Sequence, residues 1–163
     1  MAFTERNECE KMHHFPLYMD MRERKVVVVG GGKVAYRKVN KLLATGAHIT
    51  VVSPSLCAPL FELYSNHFIQ WIQAKCQENH LRDAFLIISA SGSKEAQEMI
   101  KNTTQKFQLV NGADNPSIGN VIFPAVFEEG DVSVAISTGG SSPTRAKKLK
   151  NLLKELFKKV KDN

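Results

Sequence analysis

The residues between Lys25 and Val52 constrain this chain more than any others. Lys25-Val26-Val27-Val28-Val29 is a continuous β-branched run, the pattern of a central strand in a parallel sheet buried on both faces. It leads straight into Gly30-Gly31-Gly32 and then into residues 33–44, where Val34, Ala35, Lys38, Leu42 and Leu43 fit a helix with a small-residue face. Thr45-Gly46 supplies the stop, and His48-Ile49-Thr50-Val51-Val52 is a second strand ended by Ser53-Pro54. Strand, glycine turn, helix, glycine, strand is a βαβ unit, because two parallel strands cannot be joined by a hairpin.

The alternation continues. Residues 54–65 read as partly helical, 68–74 as a strand, 84–88 as a buried strand, 93–104 as a helix and 107–111 as a further strand. Such a series implies a doubly wound α/β layer with a parallel sheet. A short strand is also allowed upstream, at residues 15–21. The pattern changes at residues 121–126 and 132–137, two strand-like runs joined through Glu128-Glu129-Gly130-Asp131, which reads as a hairpin. Ser142-Pro143 opens a last helix, with Ser at the cap and Pro in the first position. Leu149, Leu152, Leu153, Leu156, Phe157 and Val160 give this helix one apolar face opposite a Lys-rich one. The expected division is 1–115 for the alternating α/β domain and 116–163 for hairpin and helix.

Composition narrows the class. With 43% apolar and 23% charged residues the chain is an ordinary globular one. It has neither an apolar run long enough to span a membrane nor a signal-peptide pattern, so a cytoplasmic protein is expected. Cys9, Cys57 and Cys76 form no paired motif and read as packed, reduced thiols. His13, His14, His48, His67 and His80 form no metal-ligand pattern, and no metal site is expected. Of the net charge of +6, all is in the last 20 residues, since Lys/Arg and Asp/Glu balance up to Pro143. This basic segment reads either as the solvated side of a packed helix or as a site for an anionic partner. Aromatic platforms for nucleic acid are lacking, so neither nucleic acid nor membrane is expected as a partner.

Three places carry chemistry. Gly30-Gly31-Gly32-Lys33-Val34-Ala35 matches G-x-G-x-x-A after a buried strand and at the start of a helix, the Rossmann-type dinucleotide signature. Gly30 permits the tight turn, Gly32 the approach of a pyrophosphate, and Ala35 the close packing of helix on strand. The acidic residue that usually ends the second strand is replaced by Val52-Ser53-Pro54-Ser55, leaving the ribose to hydroxyls and backbone. No Arg stands there for a 2′-phosphate, which favours NAD over NADP. Asp114, in Asn111-Gly112-Ala113-Asp114-Asn115-Pro116, falls near the carboxyl edge of the sheet and reads either as a general base whose pKa burial would tune or as part of a turn. Ser137-Thr138-Gly139-Gly140-Ser141-Ser142-Pro143-Thr144-Arg145 reads either as a second anion cradle, with Arg145 for a carboxylate, or as a glycine linker to a capped helix.

Taken together, Pro16 to Met21, Val26 to Lys38, Gly46 to Pro54, Phe123-Pro124-Ala125 and Ala135 to Pro143 resemble the precorrin-2 dehydrogenase family, which includes the N-terminal part of sirohaem synthase. The resemblance implies NAD-dependent oxidation of precorrin-2, a polycarboxylate tetrapyrrole, to sirohydrochlorin by a homodimer built around the segment after the dinucleotide domain. It places the family's Asn-x-x-Asp motif on Asn111 and Asp114, with Asp114 in acid-base chemistry. It assigns cofactor contacts to Lys33, Val34, Pro54 and Ser55 beside Gly30 and Gly32, and Asn111 to the substrate, whose carboxylates would suit the second cradle of Ser137, Thr138, Gly139, Gly140 and Arg145. Family members that also insert iron have a longer helical C-terminal region, so a dehydrogenase alone is expected, with a bifunctional dehydrogenase and ferrochelatase as the alternative. A second alternative is a non-catalytic NAD-sensing module whose basic helix binds nucleic acid.

Overall fold

A computed structural model describes residues 14–161, with side chains described as far as Phe157. Cys9, His13 and the side chains of Lys158, Lys159, Val160 and Lys161 lie outside the described residues.

Five parallel strands form one sheet: β1 (Lys25–Val29), β2 (His48–Val52), β3 (Gln70–Ile72), β4 (Leu86–Ser89) and β5 (Leu109–Gly112). Their order is β3-β2-β1-β4-β5, so β1 is paired on both sides and the chain reverses its direction of winding between β3 and β4. Each parallel pairing requires a crossover, supplied by α1 (Lys33–Leu42), α2 (Ala58–Ser65), α3 (Glu78–Leu81) and α4 (Lys94–Thr103). Val26, Val28, Val51, Ile87 and Ile88 are wholly buried, which is why these strands read as continuous apolar runs. On one face Val27, Val29, Ile87 and Val110 pack with Leu81 and Ile100. Ala35, on α1, is likewise inaccessible, and its small size lets that helix lie close on β1 and β4. After α1 a short 3₁₀ turn, Leu43–Thr45, ends at left-handed Gly46, the expected stop.

A second unit holds residues 14–18 and those from Phe123 onward; the sheet unit is Met19–Ile122. In the smaller unit β6 (Ala125–Glu129) and β7 (Val132–Ile136) pair antiparallel, and α5 (Pro143–Lys161) packs on both. The Phe127 and Phe157 rings meet edge-on at 5.7 Å. No helix is long and apolar enough to cross a membrane among the described residues.

Several expected boundaries move. Residues 15–21 join no strand ladder; Phe15, Leu17 and Tyr18 are exposed, and the Tyr18 hydroxyl donates to the Ser133 carbonyl at 2.9 Å. The strand expected at 68–74 shrinks to Gln70–Ile72, because His67 takes a left-handed conformation and Phe68 still belongs to the turn. The strand expected at 107–111 begins at Leu109, with Phe107 exposed. The run expected at 121–126 splits: the amides of Asn120 and Val121 both donate to the Val110 carbonyl, so this stretch lies along β5, and the hairpin strand starts at Ala125. Its turn is also tighter than expected, with only Gly130 and Asp131 between the strands.

α3 was not apparent in the sequence, nor was what holds it. Gln108 is wholly buried, and its Nε2 donates at 2.7 Å to the carbonyls of both Leu81 and Ala84. Its Oε1 accepts the Gln105 amide at 2.9 Å. One side chain thus ties the α3–β4 connection to the start of β5, with its amide satisfied at both ends. Gln108→Leu keeps the volume and strands the Ala84 carbonyl and the Gln105 amide. It is expected to cost roughly 2–4 kcal/mol in urea unfolding.

Candidate functional site

The carboxyl ends of β1, β2, β4 and β5 carry the candidate site. At the end of β1 the Gly30 amide donates to the Val52 carbonyl at 3.0 Å, and Gly30 has φ +122°. A Cβ there would lie 2.5 Å from the Ala90 carbonyl oxygen. At Gly31 a Cβ would lie 1.9 Å from the Ser55 carbonyl oxygen and 2.6 Å from Ser53 Oγ, while its own carbonyl accepts the Cys57 amide at 2.7 Å. Gly32 differs from both: a Cβ there meets nothing within 4 Å. Two glycines are therefore demanded by the fold, and the third faces open space.

Gly32 is also the N-cap of α1, without a side-chain cap and without an acidic residue in the first turn. Lys33 and Val34 are exposed. The positive end of this helix and its first amides are left to whatever occupies the open space, a fit for the pyrophosphate of a dinucleotide. The other long helices are capped by their own hydroxyls: Ser93 accepts from the Ala96 amide before α4, and Ser142 from the Arg145 amide in α5.

Beyond β2, Ser53 is buried and its hydroxyl donates to the Ser55 carbonyl at 2.8 Å. The Trp71 indole donates to the Ser53 carbonyl at 3.0 Å, with the Tyr64 ring edge-on to it at 5.5 Å. Pro54 and Ser55 are exposed. The hydroxyl available to a ligand at this bend is therefore that of Ser55.

At the end of β5 Asn111 is buried. Its Nδ2 donates to the Val121 carbonyl at 2.9 Å, which leaves Oδ1 facing inward without a partner. Asp114 follows in the loop, its Oδ2 accepting the Gly92 amide at 2.8 Å and its Oδ1 buried without a partner. Burial works to raise the Asp114 pKa. The Gly92 amide, the neighbouring Ser89 hydroxyl and the Gln97 side chain outweigh it and hold the carboxyl below its ordinary value. The net shift is downward, and Asp114 is an ionised acceptor. The turn reading is realised beside it: Asn115 Oδ1 accepts the Ser117 amide and opens a 3₁₀ turn, Pro116–Ile118. Asn111 and Ser89 project from opposite faces of the sheet, since Ser89 pairs with Gly112.

Ser137, Thr138, Gly139, Gly140 and Arg145 belong to the smaller unit. Gly139 and Gly140 are both left-handed, with open space around them. The loop satisfies much of itself: the Gly139 amide donates to Ser137 Oγ, the Ser141 amide to the Thr138 carbonyl, and the Ser142 amide to Thr138 Oγ1. What remains for an anion is chiefly the exposed side chain of Arg145. A cavity of about 480 Å³ lies elsewhere, at the amino ends of β1 and β2, lined by Lys25, His48, Thr50, Gln70, His80 and Asp83. Open parallel sheets bind ligands at the other edge. Gly31, Ser89, Gly92 and Gln97 escaped sequence reasoning; the one visible signal was Ser89, a polar residue ending the apolar run Leu86-Ile87-Ile88.

A family described as putative NAD(P)-binding matches residues 17–125, and one described as the central part of sirohaem biosynthesis proteins matches 129–156. A precorrin-2 dehydrogenase of Bacillus subtilis is 33% identical over 134 residues, which cover 82% of this chain and 83% of that protein. A siroheme synthase of Actinobacillus succinogenes is 36% identical over 147 residues, 90% of this chain but 31% of that protein. The chain therefore spans about a third of the length of the siroheme synthases it matches. The solved structure of SirC, a precorrin-2 dehydrogenase, superposes with a TM-score of 0.79 at 35% identity, over 87% of this chain and 70% of that one.

The three glycines separate fold from ligand. Gly32→Ala has room for its methyl and is expected to leave the thermal midpoint within about 2 °C while weakening NAD binding by calorimetry at least about tenfold. Gly31→Ala drives a methyl into the Ser55 carbonyl and is expected to lower the midpoint itself.

Proposed function

The chain belongs to the precorrin-2 dehydrogenase family, and we propose that it oxidises precorrin-2 to sirohydrochlorin with NAD as hydride acceptor, in sirohaem biosynthesis. The observation that carries this reading is the pairing, in one unit, of an uncapped helix end over Gly32 with an ionised carboxylate, Asp114, at the carboxyl edge of the same sheet. When bound, NAD supplies the hydride acceptor. Gly30 and Gly32 shape the turn, the amides of Lys33 and Val34 hold the pyrophosphate, and Pro54 and Ser55 border the ribose. The oxidation removes a hydride and a proton from saturated positions of the macrocycle, and the Asp114 carboxylate accepts the proton. Asn111, whose Nδ2 donates to the Val121 carbonyl, holds the end of β5 beside the substrate. In the smaller unit, the exposed Arg145 offers a bidentate donor to a carboxylate.

The protein is proposed to act as a homodimer. α5 exposes Leu149, Leu152 and Leu156, with Leu152 at 59%, an apolar stripe of the kind that a second copy covers. The free thiols of Cys57 and Cys76 fit a reducing, cytoplasmic compartment.

Anaerobic incubation with precorrin-2 and NAD, following NADH and the macrocycle spectrum together, tests the activity; no NADH despite NAD binding would overturn it. Asp114→Asn keeps the acceptor for Gly92 and is expected to bind NAD normally while turnover falls about 10²–10⁴-fold. Full turnover in that variant would remove Asp114 from the chemistry. The pH dependence has a definite sign. A carboxyl held below its ordinary 3.8 stays ionised at and above that value and loses its charge only as pH falls through the lowered one. kcat/KM is therefore expected to show no acid limb from Asp114 between about pH 8 and about pH 5.

A further inference from the structure

We propose that Ser89, the last residue of β4, is the positioning residue for Asp114, its hydroxyl being the donor that holds the free oxygen of that carboxylate. The inference deepens the reading of Asp114 as proton acceptor and rests on it for its functional meaning.

Ser89 is wholly buried at the end of a strand that is otherwise apolar, Leu86-Ile87-Ile88. A buried hydroxyl is unfavourable there without a partner, and alanine would fill the position at little cost. Yet Ser89 Oγ makes no hydrogen bond of good geometry. Its backbone is already committed to the Asp114 loop, because the Ser89 carbonyl accepts the amides of both Ala113, at 2.9 Å, and Asp114, at 3.3 Å. One oxygen of Asp114 is fixed by the Gly92 amide, and the other, Oδ1, is buried with no donor.

An unused buried donor and an unused buried acceptor, on residues joined through their backbones, are the two halves of one hydrogen bond. A serine hydroxyl rotates freely enough to complete it, whereas a glycine amide is fixed by its peptide plane. The Ser89 hydroxyl is among the groups that act on the carboxylate. Of the influences on the Asp114 carboxyl, burial is the largest and raises its pKa, whereas the Gly92 amide, Ser89, Gln97 and its own backbone amide lower it. The groups that stabilise its charge are thus all neutral, so removing one donor has a readable effect. Gly92 and Ser89 together grip both oxygens, which fixes the plane of the carboxylate as well as its charge.

The test is Ser89→Ala in the full chain, with the Asp114 carboxyl followed by carbon-13 NMR through a pH titration and assigned by its loss in Asp114→Asn. The expected result is a titration midpoint raised by roughly one pH unit, with NAD binding and the thermal midpoint unchanged. Ser89→Cys, similar in size but a poor donor, is expected to give the same shift and serves if the alanine protein does not fold. An unchanged midpoint in both variants overturns the proposal and leaves Ser89 a filler of the strand end. Activity is read separately. With kcat/KM followed below about pH 5, where the Asp114 limb falls, a raised midpoint with a limb that moves with it is expected; a raised midpoint with an unmoved limb upholds the Ser89 contact and overturns the proton-accepting role of Asp114.

Discussion

β1 is hydrogen-bonded in parallel on both sides, and the rest of the sheet unit is arranged by that fact. A parallel neighbour cannot be reached through a tight turn, so the chain must leave the carboxyl end of each strand, cross a face of the sheet and return. Every departure therefore occurs at the same edge. Gly30, Ser53, Ser89 and Gly112 all mark departures, and the residues that follow them crowd into one strip of surface. The crowding accounts for the glycines: Gly30 passes the carbonyl of Ala90 and Gly31 that of Ser55 at distances that admit no side chain. Burial of the valine run thus produces both the core and the edge on which ligands bind.

The helices treat their first amides differently. α4 and α5 start from serines whose hydroxyls take up an amide, while α1 starts from a glycine that offers nothing. A glycine in place of a capping side chain costs a helix only about a few tenths of a kcal/mol. Here it leaves donors available beside open space. At the same edge Asp114 has the opposite character, since its charge is stabilised by neutral donors without a cation to neutralise it. Amides ready for an anion and a carboxylate ready for a proton stand on neighbouring loops.

Much of this was legible in the sequence because it depends on local pattern. The valine run, the glycine turn, the stop at Gly46 and the Ser142-Pro143 start of α5 each follow from residues within a few positions of one another. The hairpin was legible in kind but not in register: Val121 resembles a strand residue whichever neighbour it joins, and it joins β5 through the Val110 carbonyl. Gln108 looks like an ordinary polar residue at a strand start, and only the tertiary fold places two carbonyls within its reach. Asp114 could be nominated from its position but its pKa could not, since the direction depends on a Gly92 amide 22 residues away. α3 is a single turn and carries too few residues for a period to show.

Trp71 is the chain's only tryptophan. Its indole N–H ends on the Ser53 carbonyl, and Tyr64 lies edge-on to the ring. Ser53 is the pivot of the bend that presses on Gly31 and exposes Ser55. A chromophore hydrogen-bonded to that pivot is sensitive to any change in its polarity or rigidity, so the emission spectrum of the unlabelled protein is an optical gauge of this bend, uncontaminated by signal from any second indole.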